Sequence, residues 1–223
     1  MRVLYVLIFV ILAICPPVAF AQTGDAMMNM QDIAQGLGVK CEYCHARSAA
    51  SQSPTRIDIG RAMIAMTRDL NAKILAATGK PANEVTRVSC ITCHRGVAIP
   101  GQLSDIITKT TLQKGPDVAV AQYRELRDQY YGRQSYDFGE ETLLTSGQQI
   151  ARAKPEASIP ILRLNLEFYP RSVRSYSQIA FAQTRSLNDE AAISTLEKAL
   201  ELEPDNGMIK GQIEQLKSYR RRK

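Results

Sequence analysis

Cys41-Glu42-Tyr43-Cys44-His45 and Cys90-Ile91-Thr92-Cys93-His94 constrain this chain more than any other feature. Each is a complete C-x-x-C-H motif, and together they use both histidines and four of the five cysteines. The spacing has a chemical reason. Two thiols three residues apart reach the two vinyl groups of one haem, and the histidine that follows lies under the iron as an axial ligand. The residues point to two covalently bound c-type haems, with Cys41, Cys44, Cys90 and Cys93 as thioethers. His45 and His94 are then the proximal ligands of the two irons.

Other uses of the same cysteines explain less. A four-thiolate zinc ribbon has acceptable spacing, but it leaves both adjacent histidines without a reason, and exported thiols tend to oxidise before they meet zinc. Two local disulfides have the same weakness. A thioredoxin-like redox pair wants a βαβ context, and no stretch here alternates with period two for long.

Export is written at the start of the chain. Arg2 supplies a positive charge, Val3 to Ile14 is an apolar run of 12, and Ala19-Phe20-Ala21 offers a small-x-small cleavage site. That run is short for a membrane span, so residues 1–21 read as a signal peptide and the mature protein as periplasmic. Leu12-Ala13-Ile14-Cys15 loosely resembles a lipidation box, with a bulky Ile14 where a small residue is wanted. Tethering through Cys15, or through an uncleaved signal segment, therefore remains a second reading. Setting Arg2 aside leaves 27 basic against 22 acidic residues, a formal +5. The four propionates of two haems nearly cancel this, so nothing argues for a nucleic-acid partner. Arg220-Arg221-Arg222-Lys223 reads as a solvated end.

The expected fold is all-α, in two parts. Residues 22–101 hold both motifs in a small, loop-rich diheme domain. Met27 to Leu37 reads as one helix, and a second starts near Thr55 or Asp58 and runs to about Ala77 with Met63, Met66, Leu70 and Ile74 as its stripe. So short a segment lacks a self-sufficient core, and haem would supply the missing apolar interior. Residues 102–118 read as a linker, bracketed by Pro100-Gly101 and Gly115-Pro116. Residues 119–223 read as tetratricopeptide-like helical repeats, with helices at 119–131 and 140–153 opening the stack. Glu156-Ala157-Ser158-Ile159 recurs as Glu190-Ala191-Ala192-Ile193, 34 residues on. The same offset relates Leu162 to Leu196, Leu166 to Leu200, Pro170 to Pro204 and Ile179 to Ile213.

Both histidines are spent as proximal ligands, so the second axial positions fall to other residues. Methionine is the usual neutral partner in electron carriers. Met27, Met28 and Met30 precede the first motif, and Met63 and Met66 precede the second. Spacing does not choose among them, because a methionine stripe on a helix is more often packing. Met208, in the repeats, reads as a packing or surface residue. Arg95 could pair with a propionate or lie free on the surface.

The stretch Met30…Leu37-Gly38-Val39-Lys40-Cys41-Glu42-Tyr43-Cys44-His45, then Arg61-Ala62-Met63-Ile64-Ala65-Met66-Thr67-Arg68-Asp69-Leu70-Asn71, then Cys90-Ile91-Thr92-Cys93-His94-Arg95-Gly96 resembles one diheme half of the cytochrome subunit of bacterial photosynthetic reaction centres. The resemblance covers residues 30–101, about a third of the chain. It implies distal ligation by Met30 and Met63, with Met66 packing on the same haem. The subunit it resembles has two such halves and no repeat tail, so the resemblance implies haem geometry and not photosynthesis. The expected function is outer-sphere electron transfer with redox partner proteins, with the repeat tail as a docking or assembly module. A peroxidase-like diheme enzyme with one open iron, and a scaffold in which haem is only structural, are the alternatives. The tail has no histidine or cysteine, and Glu140, Glu141, Glu156 and Glu190 read as solvated helix positions.

Overall fold

A computed structural model describes residues 29–46 and 54–222. The expected leader with Cys15, and with it Met27 and Met28, lies outside the described residues. Every regular element among those residues is helical, as the expected fold class requires. The short helices α1 (Met30–Leu37) and α2 (Glu42–His45) are followed by the long α3 (Arg56–Thr78). A 3₁₀ turn (Ala82–Glu84) and α4 (Cys90–His94) complete the first part. Then come α5 (Leu103–Lys114), α6 (Pro116–Tyr130), α7 (Glu140–Ala153), α8 (Pro155–Phe168), α9 (Val173–Arg185), α10 (Asp189–Leu202) and α11 (Gly207–Arg222).

Local chemistry sets the ends of the first helices. Asn29 caps α1 by accepting from Asp32 N at 2.7 Å, and Gly38 ends it in the left-handed region at φ 64°. Thr55 and Asp58 form a reciprocal capping box at the start of α3, where the sequence led one to expect it. The Thr55 hydroxyl, and after it the Thr55 backbone N–H, hold the Asp58 carboxyl below the usual carboxylate range.

Residues 102–118 are not a linker. Leu103, Ile107 and Thr111 of α5 are buried, the first two in a core shared with Ala119 and Tyr123 of α6 and Leu143 and Ile150 of α7. The Pro and Gly residues that suggested a loop are helix punctuation. Gly115, at φ 96°, closes α5, and Pro116 is the first residue of α6, where its missing N–H costs nothing.

The 34-residue period is a packing period. Leu162 and Leu196 are both buried, as are Ile179 and Ile213, and Pro170 and Pro204 each follow the last residue of α8 or α10 by two. A second core joins Ala180, Ile193, Leu196, Ile209 and Ile213 across α9, α10 and α11. Helices stacked this way bury a continuous interior that no pair could bury alone.

Candidate haem centre

The two motifs sit on the two shortest helices. Cys41 stands just ahead of α2, and its carbonyl accepts from Cys44 N at 3.3 Å and His45 N at 3.1 Å. Cys90 opens α4, which Ser89 and Thr92 cap reciprocally: Ser89 N donates to Thr92 Oγ1 and Thr92 N to Ser89 O, both at 3.1 Å. One helical turn puts cysteines three apart on a common face, with the histidine beside the second. Cys41, Cys44, Cys90 and Cys93 form no disulfide. Among the described residues no three His, Cys, Asp or Glu side chains converge to hold a metal ion, so the four thiols are not gathered as a zinc ribbon needs. Burial pushes the Cys90 thiol up.

Helix α3 is the bar that holds both motifs. At its start Arg56 Nη1 donates to Tyr43 O at 2.9 Å, inside the first motif, and its guanidinium lies 4.2 Å over the Tyr43 ring. Further along, the Asn71 amide closes a two-bond ring with Val88: Asn71 Nδ2 donates to Val88 O at 2.8 Å and Val88 N donates to Asn71 Oδ1 at 2.7 Å. That ring fixes the extended segment that delivers Ser89 and Cys90.

Helix α1 packs on α4. A Cβ on Gly36 would lie 2.8 Å from Cys90 Cβ and 2.9 Å from Ile91 N, so only glycine permits the approach. Gly96 N donates to Gly36 O at 2.9 Å. Helix α1, which carries Met30, thus meets α4, the motif helix more distant on the chain, and α3, which carries Met63, meets α2.

The ring of the second histidine is held by one contact. His94 Nδ1 lies 3.0 Å from Val97 O. A carbonyl only accepts, so Nδ1 is the donor in this contact. Arg95 is exposed, with no ion pair among the described residues, and its backbone carbonyl accepts from Ser135 Oγ at 2.7 Å. A cleft of about 490 Å³ runs between Cys93 and His94 on one side and Leu103, Ser104 and Tyr136 on the other.

These residues fit haem. From residue 29 to 101 only Gly36, Thr67 and Val97 are buried among the described residues, so this part has no interior of its own. Its large apolar side chains face outwards instead: Met30 is 64% exposed, Met63 43%, Met66 55% and Ile91 50%. Exposed apolar surface of this extent marks a missing apolar partner. The structure places Met30 at the first residue of α1, and Met63 and Met66 on α3. Arg56, Asn71, Gly36, Val97 and Ser135 carry no motif and were not singled out for these roles by the sequence.

Residues 25–162 match the family described as photosynthetic reaction centre cytochrome C subunit. The match runs well past the two motifs, through α5, α6 and α7 and into α8, further than the stretch 30–101 on which the resemblance was drawn. The photosynthetic reaction center cytochrome c subunit of Rubrivivax gelatinosus (strain NBRC 100245 / IL144) is 35% identical over 66 residues, which is 28% of this chain and 16% of that protein. The chain therefore spans only a small share of that relative's length. With two C-x-x-C-H helices braced on one long helix, an apolar surface open to haem, and a family match across more than half its length, the chain belongs to the photosynthetic reaction centre cytochrome c subunit family.

Proposed function

We propose that this chain is an exported diheme c-type cytochrome that passes single electrons between redox partner proteins by outer-sphere transfer. The observation that carries the reading is the first part of the chain: two C-x-x-C-H helices on a framework whose apolar residues have no protein interior to enter. Cys41, Cys44, Cys90 and Cys93 would hold the two groups covalently, and His45, His94, Met30 and Met63 would ligate their irons. Each bound haem supplies a one-electron ferric/ferrous couple, with no bond made or broken between this protein and its donor or acceptor. With these four ligands in place, the chain's own residues would leave no open site for a substrate.

The periplasm is the compartment that the leader implies. Among the described residues no helix is long and apolar enough to cross a membrane. Helices α7 to α11 read as a tetratricopeptide-like stack that docks an extended, acidic segment of a redox partner. Between α9, α10 and α11 lies a groove of about 630 Å³ with Phe181, Leu187 and Tyr219 exposed along it. A smaller hollow beside it is flanked by Arg152 and Arg185, neither of which has an ion pair among the described residues.

Met30→Ala and Met63→Ala in the haem-loaded chain test the ligation. Each is expected to change the oxidised spectrum and to lower the potential of one haem. An unchanged oxidised spectrum in either variant removes that methionine from the iron and brings forward the redox enzyme with an open site.

A further inference from the structure

The turn after His94 is held from outside its own part of the chain. Arg95 and Gly96 both take left-handed backbone, at φ 51° and 80°, and this reversal returns Val97 O to within 3.0 Å of His94 Nδ1. Glycine adopts such angles freely, whereas an arginine is strained there and stays only where its surroundings insist. Two contacts insist. Gly36 O accepts from Gly96 N at 2.9 Å on one side. On the other, Ser135 Oγ donates to Arg95 O at 2.7 Å across 40 residues of sequence.

Ser135 is itself well supported. It lies in the loop between α6 and α7, and the rings that follow it are wedged into the helical core. Tyr136 meets Tyr130 edge-on at 5.3 Å, and Phe138 meets Tyr123 edge-on at 5.7 Å. Tyr169 Oη donates to Phe138 O at 2.9 Å, and Asp137 Oδ1 accepts from Gly139 N at 2.7 Å. The hydroxyl that reaches Arg95 therefore comes from a braced loop.

We infer that Ser135 is a positioning residue through which the helical part of the chain sets the hydrogen bond on the proximal histidine of the second motif, and with it the reduction potential at that iron. This rests on the haem-binding reading above. A carbonyl that accepts the Nδ1 proton makes the imidazole a stronger donor and favours the more highly charged ferric iron. Without the Ser135 hydroxyl, Arg95 O loses its donor, the strained turn relaxes, and the bond from Nδ1 to Val97 O weakens. Ferrous iron then gains, and the potential rises.

The test is a spectroelectrochemical titration of the haem-loaded full chain, after intact mass has shown both haems attached. In Ser135→Ala one of the two reduction steps is expected to move upwards while the other stays. Loss of one hydrogen bond's influence corresponds to a change of about fivefold in the ferric/ferrous equilibrium, or about 40 mV for one electron. Ser135→Thr keeps the hydroxyl and restores the wild-type step. Leu196→Ala, which empties a buried position in α10, lowers stability and moves neither step. Unmoved potentials in Ser135→Ala, or an equal shift in Leu196→Ala, overturn the inference. A chain whose mass lacks the second haem fails the haem-binding reading instead, before any potential is measured.

Discussion

Asn71 offers the sharpest test of how the second motif is delivered. Its side chain makes two short bonds to Val88, one as donor and one as acceptor, and Val88 is half-buried beside Ser89 and Cys90. Each such bond contributes about 0.5–1.5 kcal/mol net, and an orphaned buried partner costs more than the bond's mean worth. Water reaches part of Val88, so Asn71→Ala is expected to cost about 1–3 kcal/mol, with most of it recorded in the first part of the chain. Asn71→Asp separates the two bonds. Its carboxylate still accepts from Val88 N but turns an acceptor towards Val88 O. The folded protein then favours the protonated acid, so its pKa lies above the unfolded value. The stability it lends is full below the unfolded pKa and is lost as pH rises through the folded one. Denaturant titrations followed by haem absorption at acidic and neutral pH read both effects, and hydrogen exchange at Val88 N–H reads the bond directly. An Asn71→Ala protein within 0.5 kcal/mol of wild type (about the scatter of surface substitutions), or an Asn71→Asp protein as stable as wild type at neutral pH, refutes the anchoring role.

Gly36→Ala should open the contact between α1 and α4, because the new methyl meets the Cys90 Cβ and the Ile91 backbone closer than 3 Å. Overpacking of this kind costs about 1–3 kcal/mol, against a gain of about 1 kcal/mol in helix propensity, so chemical denaturation should show a net loss; a stabilised variant contradicts the close approach. Tyr123 is fully buried with an unpartnered hydroxyl, and burial above all pushes its pKa up to about 12. The stability tied to its neutral form is complete below pH 10 and lost as pH rises towards 12. Tyr123→Phe should be neutral or stabilising at pH 7 and should flatten the alkaline decline; unfolding curves as steep in pH as wild type speak against it. Arg152→Glu with Arg185→Glu should weaken low-salt binding of a labelled decapeptide of Glu and Phe, measured by fluorescence anisotropy on the haem-loaded chain; binding equal to wild type removes the acidic-segment reading of the groove.

What the sequence disclosed follows from the range over which each feature is determined. The two C-x-x-C-H motifs were legible because their spacing is local, and each falls on one short helix or just ahead of it. The Thr55–Asp58 cap and the pairing of Leu162 with Leu196 were legible because caps and repeats are local or periodic. Gly115-Pro116 misled because the same dipeptide that ends a helix can start the next, and Gly115 alone separates α5 from α6. Asn71 with Val88, and Ser135 with Arg95, lie 17 and 40 residues apart and follow no period. Their roles needed the chain to be folded before they could be seen. Gly36 reads as an ordinary small residue in α1 until α4 is placed against it. Met63, Met66 and Leu70 read in sequence as an apolar stripe with two candidate haem ligands, and that all three are exposed could be seen only in the folded chain.

Intact mass of the protein made in a host with cytochrome c maturation machinery tests whether this chain holds two haems covalently. The expected mass is that of chain 22–223 plus two haems, with one haem lost in Cys41→Ala/Cys44→Ala and one in Cys90→Ala/Cys93→Ala. A mass with no haem, or with zinc in its place, contradicts it.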